Sequence, residues 1–179
     1  MKKIGLFFGS FDPPHIGHVD LVTSALNAKL VDRVMVIPAW QNVWKKQSTD
    51  FWIRLRMCEH AFKHTAIVSP VESIIAKQSK EVHTYDVVKH LKDKVKSYAN
   101  VTELVMLTSS ETWKDIPKWK NGELILKELP IIVEGIDFHS HKFPIYSTAI
   151  RLLIEQGKHP QPFIQNTVYE EIKLNKLYI

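Results

Sequence analysis

The 179-residue chain has a single cysteine, Cys58, so no disulfide can form within it. A scaffold stapled by bridges is excluded, and a reducing, cytoplasmic setting is expected. No apolar run is long enough to cross a bilayer, so a membrane partner is not expected. The N-terminus carries Lys2 and Lys3, but its apolar stretch breaks at Gly9, which does not read as a secretory signal. Internal repeats and low-complexity tracts are missing, which excludes solenoids and fibrous arrays. The dinucleotide fingerprint G-x-G-x-x-G is missing as well. The net charge is +5, yet the basic residues are dispersed, and Lys45-Lys46 is the nearest approach to a cluster in a loop. A pair is not the footprint of nucleic acid, whereas anionic small molecules suit such a balance.

What is present is enough for a packed core: 45% of residues are hydrophobic and 24% charged. The length fits one domain over 1–179, with 145–179 as a helical C-terminal part. Strand patterns fall at Lys2–Phe8, Arg33–Pro38, Ala66–Val71, Glu103–Thr108 and Pro130–Val133. Helical patterns fall at His18–Ala28, Trp52–Phe62, Thr84–Lys94, Lys118–Leu129, Arg151–Gln156 and Val168–Leu174. Residues from Ala39 to Asp50 read as a loop over the site. Strands alternating with helices predict right-handed crossovers and a doubly wound, mainly parallel α/β sheet of Rossmann-like type, with helices on both faces. A simple nucleotide-binding module shows the same alternation, so the fold leaves function open.

The richest stretch is Gly9-Ser10-Phe11-Asp12-Pro13-Pro14-His15-Ile16-Gly17-His18. It joins the first strand to the first helix, the junction where open α/β sheets bind ligands against free helix N–H groups. His15 and His18, three apart, share one helix face. Gly17 between them would let a bound group approach the backbone. The arrangement suits the phosphates of a nucleotide.

This stretch resembles the G-[TS]-F-D-P-x-H-x-G-H signature of the nucleotidylyltransferases, which join a nucleoside triphosphate to a phosphorylated acceptor and release pyrophosphate. Far downstream, Ile145-Tyr146-Ser147-Thr148-Ala149-Ile150-Arg151 resembles the family's I-S-S-T-x-I-R segment, with Tyr146 where serine is usual. The resemblance implies that Gly9, Ser10, Phe11, His15, Gly17, His18, Ser147, Thr148 and Arg151 bind ATP. It implies that His15, His18, Lys45 and Arg151 are catalytic, and that Mg²⁺ enters with the ATP. Ser147 or Thr148 is expected to cap the helix that carries Arg151. Asp12 reads as a brace for the loop, and no dedicated metal cage is expected.

Looser likeness covers most of the rest, and is nearest to the bacterial nicotinate-nucleotide adenylyltransferases. Pro38 through Lys45 resembles their P-x-x-x-P-x-K loop, and Arg54-Leu55-Arg56-Met57 the start of a helix. Val82 through Val88 resembles S-Y-T-I-D-T-L, Ser109-Ser110-Glu111 followed by Trp119 resembles G-A-D-x-x-x-x-F-x-x-W, and the chain ends on a similar L-Y. The acceptor would then meet Thr84, Glu111 and Trp119, with Trp119 stacking on a pyridine ring. The departures (His83, Ser109, Ser110, Glu111) lie on the acceptor side. They leave nicotinamide mononucleotide or phosphopantetheine open as acceptors, and also a module that binds nucleotide without turnover. The expected partners are ATP and a phosphorylated small molecule; a homo-oligomer is open.

Overall fold

The computed structural model describes residues 2–41, 49–79, 81–96, 102–141 and 145–179. Lys45, and with it the middle of the expected loop over the site, lies outside the described residues. Five strands form one sheet: β1 (Lys2–Gly9), β2 (Arg33–Pro38), β3 (Ile67–Val68), β4 (Thr102–Ser109) and β5 (Ile131–Glu134). The helices are α1 (Ile16–Asn27), α2 (Phe51–Phe62), α3 (Val71–Ile75), α4 (Thr84–Lys96), α5 (Ser110–Asp115), α6 (Gly122–Glu128), α7 (Ser147–Glu155) and α8 (Asn166–Leu174). The strand order is β3-β2-β1-β4-β5, and every pairing is parallel.

Parallel strands covered on both faces are apolar through their middles, which is why residues 4–8 of β1, 34–37 of β2 and 104–107 of β4 carry no polar side chain. Alternate side chains serve opposite faces. Phe7, Val105 and Leu107 join the core under α1, α2, α7 and α8, together with Val22, Phe62, Ile150 and Val168. Leu6, Leu104 and Met106 join the other core, with Val87, Val88 and Ile125 of α4 and α6. The order reverses between β1 and β4, so their carboxyl ends flank a crevice. Gly9 and Ser109 lie at that rim. Among the described residues, no helix is long and apolar enough to cross a membrane.

Local chemistry moves some of the expected boundaries. The strand expected over Ala66–Val71 pairs only at Ile67 and Val68. Pro70 has no N–H to extend the ladder, and Val71 already opens α3. The helix expected from Lys118 starts at Gly122, after a 3₁₀ turn at Ile116–Lys118. Asn121 is left-handed there (φ 59°), and a Cβ on Gly122 would lie 1.9 Å from the Ile116 carbonyl oxygen, so only glycine fits. The helix carrying Arg151 begins earlier than expected, at Ser147, and α5 was not anticipated from the sequence.

Candidate active site

The loop after β1 is built by packing an aromatic ring on a glycine. Phe11 is left-handed (φ 51°) and folds its ring back over Gly9, where a Cβ would lie 2.8 Å from a ring carbon. That ring is buried among Phe7, Phe62 and His18, with centroids at 5.4, 5.9 and 5.0 Å. His15 is the N-cap of α1, in extended backbone (φ −141°, ψ 172°). Its ring stacks on His18 at 3.6 Å and 25°. The N–H of His15 donates to His18 Nδ1 at 3.2 Å. Nδ1 is therefore the acceptor, the proton belongs on Nε2, and Nε2–H is left as a donor.

Burial pushes the His15 imidazole down to about 4. His18 lies well below its usual value, first through burial and then through the neighbouring His15. Burial favours the neutral form of both rings, and an accepting Nδ1 favours it further for His18. With Nδ1 taken, His18 can meet a ligand as a hydrogen-bond donor through Nε2–H. Gly17 serves the rings more directly than expected. A Cβ there would lie 3.2 Å from the His15 ring, so Gly17 also seats the imidazole.

The distant segment arrives at the same loop. Arg151 Nη1 donates to the Asp12 carbonyl at 2.7 Å, and Nη2 to Thr148 Oγ1 at 3.2 Å. Ser147 Oγ donates to the Pro13 carbonyl at 2.8 Å. The N-terminus of α7 thus abuts the loop that leads into α1, and Arg151 is bonded to the same loop that carries the two imidazoles. One expectation needs correction. Neither Ser147 nor Thr148 caps α7; the N-cap is Tyr146, with no side-chain bond, because Ser147 is already helical and its hydroxyl is spent on the loop.

The acceptor-side residues are less tightly gathered. Thr84 opens α4, where the N–H of His83 donates to Asp86 Oδ2 at 3.0 Å. Trp119 is half-buried against the α4–α6 core. Their sequence neighbours meet: Lys120 Nζ lies 3.4 Å from His83 Nε2, which is also 3.3 Å from Glu81 Oε2. An open cavity of about 560 Å³ adjoins them, lined by Ile75, Ser79, Glu81, His83, Asp86 and Lys120. Thr84, Trp119 and Glu111 are not among its lining residues. Glu111 is exposed on α5 and accepts a hydrogen bond from Tyr146 at 3.2 Å, so two departures from the family pattern bridge α5 and α7.

Residues 6–153 match the cytidylyltransferase-like family. The chain belongs to that family. Full-length relatives include proteins named probable nicotinate-nucleotide adenylyltransferase in Flavobacterium johnsoniae, 29% identical, and Flavobacterium psychrophilum, 30% identical; each alignment covers 98% of this chain and 98% of the relative. The fold resembles that of Plasmodium falciparum nicotinic acid mononucleotide adenylyltransferase complexed with APC, with a TM-score of 0.74 at 18% identity, over 99% of this chain and 98% of that one.

In this cytidylyltransferase-like chain, the residue that sequence reasoning undervalued most is Arg54. It is 1% exposed. Its Nε donates to the Thr49 carbonyl at 3.1 Å, Nη1 to that of Ser10 at 2.7 Å, and Nη2 to those of Ala39 (2.8 Å) and Trp40 (3.3 Å). One fork therefore ties the ends of β1 and β2 together and satisfies four main-chain carbonyls around a buried guanidinium. Glu72 helps by accepting the Trp40 N–H at 2.6 Å. The signal was present: an arginine on the apolar stripe of a helix calls for buried acceptors. Asp12, read as a brace, is buried, and it accepts from the Tyr178 hydroxyl at 2.5 Å.

Proposed function

We propose that this nucleotidyltransferase transfers the adenylyl group of ATP to nicotinate mononucleotide, releasing pyrophosphate and forming the dinucleotide precursor of NAD. The observation that carries the reading is the meeting of Arg151 with the His15–His18 loop at the β1–β4 switch point. The full-length likeness to relatives bearing that activity in their names supports the choice of acceptor.

An oxygen of the acceptor phosphate attacks the α-phosphorus, and the α–β bridging bond breaks with its electron pair leaving on pyrophosphate. No covalent enzyme intermediate is needed, so catalysis is positioning plus stabilisation of developing charge. Gly9, Ser10 and Phe11 line the loop against the nucleotide. His15 and His18 meet the phosphates, with His18 Nε2–H as a donor. Arg151, Ser147 and Thr148 receive the β- and γ-phosphates at the α7 N-terminus, where charge on the leaving group collects. Lys45 adds a cation during transfer. Thr84, Glu111 and Trp119 hold the acceptor, with Trp119 against the pyridine ring.

Among the described residues no group of three His, Cys, Asp or Glu side chains gathers as for one metal ion. Mg²⁺ would enter with the ATP and keep waters of its own. Bound there, the ion would neutralise phosphate charge.

The test supplies ATP, Mg²⁺ and one acceptor at a time, and measures pyrophosphate. Release with nicotinate mononucleotide at least about tenfold faster than with nicotinamide mononucleotide or phosphopantetheine is expected, since discrimination by a polar contact reaches that scale. Faster release with either of the others reassigns the acceptor. Tight ATP binding without release under any of them makes the chain a binding module.

A further inference from the structure

The last turn of the chain reaches the phosphate loop, and adenylyl transfer as described above makes no use of it. Tyr178 Oη donates to Asp12 Oδ1 at 2.5 Å, across 166 positions of sequence, and accepts from Thr49 Oγ1 at 3.3 Å. Asp12 is 6% exposed and Thr49 5%. Burial first, and the Asp12 charge second, push the Tyr178 phenol above its usual range. It keeps its proton and stays a donor. The same Asp12 offers its main-chain carbonyl to Arg151 Nη1. Tyr178 therefore holds the side chain of the residue whose backbone holds Arg151.

Backbone conformation points to the same contact. Phe11, next to Asp12, and Tyr178 are both left-handed, with φ of 51° and 62°. Bulky residues keep such conformations only where the surroundings over-determine them, and such places cluster at working sites. Packing alone does not call for the hydroxyl. The Tyr178 ring lies against the α1–α2–α7–α8 core, and phenylalanine would fill that space equally. What the oxygen adds is a fixed position for Asp12.

We propose that Tyr178 is a positioning residue: its hydroxyl, acting through Asp12, sets Arg151 against the His15–His18 loop for its grip on the triphosphate. The inference rests on the ATP half of the reading above and is independent of the acceptor.

A double-mutant cycle tests it, with wild type, Tyr178→Phe, Arg151→Ala and the double variant. Two quantities are read: the ATP dissociation constant by titration calorimetry with Mg²⁺, and kcat/KM for ATP at saturating nicotinate mononucleotide. Tyr178→Phe should weaken ATP binding about fivefold and lower kcat/KM about tenfold. In the Arg151→Ala background the same change should cost less than about twofold, because nothing is left to position. Equal losses in both backgrounds would show a hydroxyl that only holds the fold, and would overturn the proposal. So would a loss under about twofold in the native background. Asp12→Asn, close in shape and weaker as an acceptor, replaces Tyr178→Phe if that variant misfolds, and Arg151→Met replaces Arg151→Ala. If wild type binds ATP but makes no dinucleotide, the acceptor reading fails alone and the calorimetric cycle still decides Tyr178. Wild type that binds no ATP overturns both.

Discussion

His18 Nδ1 accepts the N–H of His15, and the two imidazoles stack at 3.6 Å. This bond decides the chemistry of the pair, because it fixes which nitrogen of His18 faces outward with a proton. On the adenylyl-transfer reading, a neutral donor held in place by this bond needs no reorganisation as charge builds on the transferring phosphate.

Removing that donor should be costly to catalysis and leave the fold in place. His18→Ala is expected to lower turnover at least about a hundredfold, the usual scale for a lost transition-state donor. Circular dichroism should show the fold intact, at a lower melting temperature because the stacked ring and its bond to the His15 N–H are lost. Pyrophosphate release within about threefold of wild type would remove His18 from the mechanism.

Gly17→Ala separates the two demands on one residue. Alanine is favoured over glycine within a helix by about 0.5–1 kcal/mol. Its methyl would sit 3.2 Å from the His15 ring, a few tenths of an ångström too close. A side chain can yield that distance, so stability should hold or rise slightly. The imidazole moves, however, and activity should fall on the order of tenfold, as misplacement of a catalytic group predicts. Thermal melting and kcat on the same sample check both halves.

Acid should destabilise the protein through the histidine pair. In the folded state burial pushes His15 down to about 4, against 6.5 for the free side chain. Between those values the unfolded chain takes up a proton that the native ring refuses. Stability is therefore full above pH 6.5 and drains as pH falls towards 4, by on the order of 3 kcal/mol from His15 alone. His18 acts in the same direction. Urea unfolding of wild type at pH 7.5 and 4.5, beside His15→Gln, measures it; an equal pH slope in the variant would contradict the assignment.

Arg54 should not tolerate lysine. A point-like ammonium cannot reach the carbonyls of Ser10, Ala39, Trp40 and Thr49 together. Each buried carbonyl left unpaired costs about 1–3 kcal/mol, so Arg54→Lys should lose at least about 2 kcal/mol, and Arg54→Met more. Denaturant unfolding reads the loss, and a change under about 0.5 kcal/mol, the scale of a surface substitution, would contradict the role given to Arg54.

Much of this was legible in the chain. Apolar runs at β1, β2 and β4 marked buried parallel strands, because covering both faces keeps polar residues out of their middles. The Gly9–His18 stretch marked the loop, since its strained turn and close packing admit few residue types. Short helices were harder. At α5 and α3 six or fewer residues carry too little periodicity to announce themselves, and the 3₁₀ turn before Gly122 depends on a backbone contact with Ile116.

Local sequence alone set the α/β architecture, the place of the Gly9–His18 loop and the residue types available to it. These follow from hydrophobic alternation and local backbone sterics, which act over a few residues. Only the tertiary structure decided that Arg151 rests on Asp12, that Tyr178 and Arg54 brace the same loop, and that burial favours the neutral form of the histidines. Those facts depend on partners up to 166 positions away and on how much water the packing excludes, and neither distance nor desolvation is written in any local stretch of residues.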